Sequence, residues 1–457
     1  MAEILHHPAS YKDPSGFIFQ LNGKYYRQVN KSFAADYEML MQSGLYATLI
    51  QKKLLVAHTE ISEQITGTSD CYKILLPQQL SFISYIYEWG FEQIRDAALV
   101  TLRVMKISLE HGMILKDATP FNIQFVDGKP LFIDTLSFEK YDETKPWIAY
   151  RQFCECFLFP LYLDHYLQTD IQKILSNYLD GIPVALTAKL LPGKSRFNLG
   201  VWLHVYLQNF VKKDAVPENK KQLSYNKQKL VTLITHLESI ITKLNSSASQ
   251  KSVWNNYYNE TILSQGYLEE KRKIFSSFLN KIQYATALDA GANNGYFSKI
   301  LSENKAQVTA IDYDAKCIDH LYTEIKKNNI PNILPLCIDI TSPSAAVGFQ
   351  NKERLSFIER AKAELVVALA VVHHLVLGKN IPLPDVASFF AGICTKKMII
   401  EFVPVHDEKA KLLIQNKSQY HLYNQSHFEN CFSEWFAIED RQVITSSERI
   451  LYLMQKK

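Results

Sequence analysis

The chain has 457 residues, 47% of them hydrophobic and 21% charged, with 16 Gly and 16 Pro. This is ordinary globular usage over a length that suits two or three domains, and it excludes collagen-like or low-complexity character. Fifty basic and 46 acidic residues leave a net charge of +4, too balanced to support a nucleic-acid partner. The seven cysteines are scattered and odd in number. Cys154 and Cys156 have no second pair at zinc spacing, so they read as reduced core thiols. Residues 1–7 carry no basic and apolar signal-peptide pattern, and the most apolar stretch, 365–377, is too short to span a bilayer. A cytoplasmic protein without a membrane span is expected.

In chain order, 17–21 and 25–29 flank Asn22-Gly23 and predict a hairpin. A helical pattern covers 33–51, strands are expected at 54–61 and 72–76, and a long helix at 91–111. Residues 113–137 read as strand, turn and strand around Asp127-Gly128. Residues 147–245 read as helices and loops, with 212–221 exposed. The small polar run 246–252 is the expected linker, dividing a domain 1–245 from a domain 253–457. In the second domain strands are expected at 285–290, 307–312, 333–338, 364–371, 397–403, 436–445 and 449–454. Helical patterns lie between most of the first five, which predicts a parallel sheet with crossover helices. The last two strands predict a terminal antiparallel hairpin.

The chemistry of the second domain concentrates at strand ends. An apolar strand runs into Asp289-Ala-Gly291-Ala-Asn293-Asn294-Gly295, where glycines allow a tight turn and close backbone approach to a ligand. The second strand ends in Asp312, a carboxylate placed to bond a ribose hydroxyl, and the third in Asp339. Residues 254–457 resemble the class I S-adenosylmethionine-dependent methyltransferases, with Asp289-x-Gly291-x-Asn293-x-Gly295 similar to their first motif. Asn293 stands where many members have Gly. The resemblance implies a Rossmann-like seven-stranded α/β sheet and S-adenosyl-L-methionine as cofactor. It places Asp289, Gly291, Asn293 and Gly295 along the methionine portion, Asp312 on the ribose and Asp339 on the adenine amine. A nicotinamide dehydrogenase is the rival for such a turn, but the GxGxxG order is missing.

The fourth strand runs into His373-His374-Leu375, a position that in the resemblance faces methyl donor or acceptor. Either histidine could take a proton from an acceptor hydroxyl or amine; the alternative is packing beside the adenine. Glu401 lies inside the apolar fifth strand and needs a partner, either the acceptor or a structural cation. Trp254, Tyr257 and Tyr258 precede the first strand, as a lid over the cofactor or as core.

In the first domain, Leu115-Lys116-Asp117-Ala-Thr-Pro120-Phe-Asn122 is followed by Phe132-Ile133-Asp134. This resembles the protein-kinase catalytic loop over roughly 15–210, implying an α+β kinase-like domain. Asp117 would be the base, with Asn122 and Asp134 as Mg²⁺ ligands for Mg-ATP if the site is active. Glu38 would sit on the helix that faces the nucleotide lysine, with Lys24 and Arg27 as candidate partners. The pattern departs at Leu115, Lys116 and Thr135-Leu136, and no Gly-rich phosphate loop is visible, so a degenerate module is the alternative. The whole chain is thus expected to be a methyltransferase of an O or N nucleophile on a small molecule, glycan or protein. Its first domain would present the acceptor, phosphorylate it, or serve as a non-catalytic scaffold.

Overall fold

The computed structural model describes residues 4–63, 65–210, 226–246, 265–414, 422–445 and 447–457. The chain forms two compact units. One is Met1–Ser249 together with Ala346–Leu355, and the other is Gln250–Ala345 with Ser356–Lys457. The expected linker residues 247–252, the loop 212–221 and the candidate lid Trp254, Tyr257 and Tyr258 lie outside the described residues.

The first unit opens with strands β1 (Leu5–His6), β2 (Gly16–Leu21), β3 (Lys24–Asn30), β4 (His58–Ile61) and β5 (Cys71–Pro77). They form an antiparallel sheet in the order β1-β2-β3-β5-β4. The β2–β3 turn has positive φ at Asn22 and Gly23, the combination that suits the twist of a two-residue hairpin. The helical pattern 33–51 is two helices, Ala34–Gln42 and Leu45–Gln51, because Gly44 turns left-handed between them at φ 79°. The expected strand 54–61 shortens to β4, leaving a single bridge from Leu55 to Phe132. The helix Phe91–Glu110 forms where its apolar period predicts. Four short strands follow in two pairs, β6 (Met113–Leu115) with β9 (Phe138–Lys140) and β7 (Ile123–Val126) with β8 (Lys129–Phe132).

Ala346–Leu355 returns from far along the sequence to this unit. Tyr11 donates to Glu353 at 3.2 Å and Lys12 bonds it at 3.0 Å. The Arg354 guanidinium lies 4.0 Å from the Phe121 ring centroid. Nothing in the hydrophobic period of 346–355 signals this placement.

The second unit is built on a seven-stranded mixed sheet. Its strands are β10 (Thr286–Ala290), β11 (Gln307–Asp312), β12 (Ile333–Cys337), β13 (Ala363–Ala368), β14 (Cys394–Phe402), β15 (Phe436–Ile444) and β16 (Arg449–Lys456). The order is β12-β11-β10-β13-β14-β16-β15. The first five run parallel, and β16 is antiparallel to both β14 and β15. The parallel strands are buried on both faces by crossover helices, which is why they read as continuous apolar runs. Leu365, Val367, Ala310 and Ile399 are wholly buried in the resulting core. From β10 the chain winds outward through β11 and β12, then returns to β13 on the other side. The strand order therefore reverses between β10 and β13, where the carboxyl ends of an open α/β sheet leave a crevice for a ligand.

Candidate cofactor and acceptor site

The β10 turn sits at that reversal. The Gly291 and Ala292 N–H groups both donate to the Ile311 carbonyl at 2.9 Å, so the turn closes over the end of β11. Gly291 and Gly295 have φ of 79° and 75°. A Cβ at Gly291 would come 2.6 Å from Val371 Cγ2, and one at Gly295 would come 2.4 Å from Leu321 Cδ1. Both positions therefore need glycine for conformation and for space.

The Asn293 N–H donates to Asp312 Oδ2 at 2.9 Å, and the Asp314 N–H donates to Asp312 Oδ1 at 2.9 Å. The Asp312 carboxylate is thus aimed by the Asn293 and Asp314 amides, with the Tyr313 amide as a further donor. Asp289 is buried and accepts from Ser298 Oγ at 2.6 Å. Burial pushes both carboxyls up to about 6, against the hydrogen bonds that favour the charged form. Asp339 is half-buried at the end of the next strand and accepts from the Thr341 N–H and Oγ1 at 2.9 and 2.6 Å. The Ile338 N–H donates to the Asp312 carbonyl at 2.8 Å. The fold therefore brings Asp289, Gly291, Asn293, Gly295, Asp312 and Asp339 to one edge of the sheet.

Two further residues at this edge were passed over in the sequence. Asn293 Oδ1 is used inside the turn, accepting from the Asn294 N–H at 2.7 Å. Asn294 Oδ1 is buried without a hydrogen-bond partner, an acceptor left free for a ligand donor. Tyr313, directly after Asp312, is 57% exposed. An aromatic residue following a strand-ending acid was the available signal.

The strand carrying the histidines is shorter than expected. β13 ends at Ala368, and Ala370 adopts φ 56°, so His373 and His374 lie in the following helical turn. Their rings are 4.2 Å apart. His373 is fully buried, and neither ring nitrogen has a partner. Burial first, then His374, Arg449 and Lys271, hold it well below the ordinary imidazole value. His374 is only partly buried; burial, Arg449 and Lys409 push it down to about 4. Both rings are neutral near pH 7, and only His374 reaches the surface.

Glu401 meets structural cations, one of the two alternatives its buried position left open. Its side chain is wholly buried, with Lys271 Nζ at 2.6 Å, Tyr267 Oη donating at 2.8 Å, and Arg449 Nη1 at 3.6 Å. Arg449 is also wholly buried; it bonds Asp407 through Nε at 2.8 Å and Nη2 at 3.1 Å, and donates to Tyr267 at 2.9 Å. Burial alone would raise the Glu401 carboxyl, but the Lys271 and Arg449 charges outweigh it and hold it below the usual range. Two cations and two carboxylates thus tie the helix Gln265–Leu279 to β14 and β16. The Glu401 carboxylate thereby helps to hold the sheet to this helix.

In the first unit, Asn122 and Asp134 are drawn together around Ser137, and Asp117 lies within reach of the Asp134 charge. Asn122 Nδ2 donates to Ser137 Oγ at 2.9 Å, and that hydroxyl donates to Asp134 Oδ2 at 2.7 Å. Asp134 Oδ1 accepts from the Leu136 N–H at 3.1 Å and is ion-paired to Arg27. Burial opposes ionisation of Asp134, but Arg27, Ser137 and the Leu136 amide keep its carboxyl below the usual range. Burial and the Asp134 charge raise Asp117. Glu38 accepts from Tyr72 Oη at 2.5 Å and Gln42 Nε2 at 2.8 Å, so Arg27 serves Asp134 instead of Glu38. The cation opposite Asp134 is the Arg27 guanidinium, and Asn122 donates to Ser137 through its amide nitrogen. Among the described residues no group of three or more His, Cys, Asp or Glu side chains is arranged to hold a metal ion. No helix among them is long and apolar enough to cross a membrane.

No family model matches the chain. Nodulation protein NoeA of Rhizobium meliloti (strain 1021) is 28% identical over 459 residues, covering 98% of this chain and 95% of NoeA. Among solved structures, the N-methyltransferase NodS from Bradyrhizobium japonicum WM9 is similar at 13% identity and TM-score 0.32, covering 42% of this chain and 98% of NodS. The magnesium protoporphyrin IX methyltransferase ChlM from Synechocystis PCC 6803 is similar at 13% identity and TM-score 0.31, covering 45% of this chain and 89% of ChlM. The bifunctional kinase-methyltransferase WbdD is similar at 16% identity and TM-score 0.29, covering 41% of this chain and 38% of WbdD. The likeness to NoeA thus runs through both units of this chain.

Proposed function

We propose that the second unit is an S-adenosylmethionine-dependent methyltransferase acting on an O or N nucleophile, and that the first unit binds or presents the acceptor. The observation that carries this reading is the hydrogen-bonded junction of three strand ends, with the 289–295 turn fixed to Asp312 and Asp312 fixed to the end of β12. A dinucleotide would use such an edge too, but Asn293 and Tyr296 stand at the second and third glycine positions of that fingerprint.

The residues present fit this cofactor. Asp312 offers a charged carboxylate to ribose hydroxyls, and Asp339 offers an acceptor to an exocyclic amine. The unpartnered Asn294 Oδ1 suits an ammonium donor, and Gly291 leaves its backbone open. Tyr313 presents an exposed ring for a base to stack on. When bound, S-adenosylmethionine supplies an electrophilic methyl group on a sulfonium sulfur. The chain's own work is to orient, desolvate and deprotonate. His374 can accept a hydrogen bond from an acceptor hydroxyl or amine, yet a ring with a pKa near 4 is a weak base at neutral pH. Rate therefore rests mainly on positioning the nucleophile.

In this proposal the first unit's kinase-like features are non-catalytic, with Arg27 paired to Asp134. Its acceptor is a small molecule, a glycan or a protein segment. Calorimetry of the intact protein with S-adenosylhomocysteine tests the central reading. Binding is expected for the wild type and its loss for Asp289→Ala; a wild-type protein that binds neither S-adenosylmethionine nor its product would overturn it.

A further inference from the structure

Residues 181–210 of the first unit combine two unusual properties. The helical run that ends this stretch is apolar on both sides. Val201 and Val205 are wholly buried on its inner face. On the outer side Phe197 is 95% exposed, Leu199 66%, Trp202 43% and Phe210 75%. A helix that is apolar all round needs apolar surroundings on both faces. Single exposed apolar residues are ordinary, but four large ones within one short run mark an interaction surface. The second property is charge. The same stretch contains Lys189, Lys194 and Arg196, all exposed, and no Asp or Glu. The Arg196 guanidinium lies 5.2 Å from the ring centroid of the buried Tyr206.

We infer that this face docks on a bilayer surface containing anionic lipid. Aromatic and aliphatic side chains enter the boundary between headgroups and acyl chains, while the three cations meet headgroup phosphates. Trp is well suited to that boundary, with an apolar ring and a polar N–H. A second copy of this chain is the other conceivable cover, and charge argues against it. An isologous contact would bring Lys189, Lys194 and Arg196 against their own equivalents. The proposal is independent of the methyl-transfer reading, since no residue of the second unit enters it.

The test is flotation of the full-length protein with phosphatidylcholine vesicles, with and without phosphatidylglycerol. The protein should float with the mixed vesicles, stay behind with phosphatidylcholine alone, and be released as salt is raised. Phe197→Glu with Phe210→Glu should abolish flotation. Lys194→Glu with Arg196→Glu, two exposed changes that leave the core untouched, should weaken partitioning by about tenfold or more. S-adenosylhomocysteine binding or an unchanged unfolding transition confirms that each variant is folded. Absence of phosphatidylglycerol-dependent flotation overturns the proposal, as does flotation that both double variants retain. A wild-type dimer dispersed by Phe197→Glu would assign the face to a second copy and overturn it equally.

Discussion

The backbone N–H of Asn293 donates to Oδ2 of Asp312 at 2.9 Å, joining the glycine turn of one strand to the terminal carboxylate of its neighbour. The two halves of the candidate cofactor site are therefore one hydrogen-bonded object. Disturbing either half should be felt at the other.

Asp312→Asn retains an acceptor for the turn but removes the charge offered to ligand hydroxyls. Hydrogen bonds to a charged group contribute about 1.5–3 kcal/mol, so S-adenosylhomocysteine affinity should fall by about tenfold or more. Isothermal calorimetry measures this directly, and an unchanged affinity would remove Asp312 from the site.

The same carboxyls set a pH dependence. Asp289 and Asp312 are raised to about 6 in the folded protein, above the unfolded value of about 3.9. Ionising them therefore costs stability above about pH 6, and that cost is relieved as pH falls toward about 4. Ligand binding has the opposite sign, because the hydroxyl partners need the charged form. Affinity for S-adenosylhomocysteine should drop several-fold between about pH 7.5 and 5.5, while the ligand-free protein loses no stability from these two groups. Asp312→Asn should flatten the affinity profile.

Glu401→Ala leaves Lys271 and Arg449 buried without their shared carboxylate. Breaking a buried pair in this way costs about 3–5 kcal/mol, visible as a lower denaturation midpoint. Glu401 has a depressed pKa, so its contribution is present above about pH 4.3 and fades as pH falls through its folded value. A variant of normal stability with no methyl transfer would instead restore Glu401 to the acceptor site.

His373 and His374 should separate on mutation. His373→Leu replaces two unpartnered buried nitrogens with an apolar group, a change expected to be neutral or stabilising by up to about 1–2 kcal/mol. His374→Ala should lower kcat without altering the unfolding transition. Since both rings are neutral near pH 7, the kcat profile should show no imidazole titration between about pH 6 and 7. A rate loss of more than about a hundredfold in His373→Leu would make it the base.

Mg-ATP should give no thermal shift with the wild-type protein, because Arg27 is paired to Asp134. Binding at 100 times Kd would stabilise by about 2.7 kcal/mol, well within detection. A clear shift that Asp134→Asn abolishes would make the first unit a nucleotide-binding kinase site.

Local chemistry was legible in the sequence. Asn22-Gly23 and Asp127-Gly128 specify tight turns because left-handed backbone is inexpensive there. The acids at the ends of β11 and β12 stand out because an apolar run stops at a carboxylate, and the 289–295 turn because its glycines sit between strand and helix periods. The break at Gly44 and the early end of β13 were harder to see, since one left-handed residue interrupts an otherwise continuous pattern.

Partnerships were a different matter. Glu401 reads in the sequence as a carboxylate in need of a partner, but only the antiparallel placement of β16 brings Arg449 to it and only the helix Gln265–Leu279 brings Lys271. Arg27 could have faced Glu38 or Asp134, and the sheet geometry chose Asp134. The return of Ala346–Leu355 to the first unit and the exposed outer face of 197–210 likewise have no local signature. The turns and the acid-bearing strand ends are written locally, because backbone preference and apolar period act over a few neighbouring residues. Which buried charges meet is settled by packing across the fold, because a charge removed from water takes whatever counter-charge the packed elements place beside it.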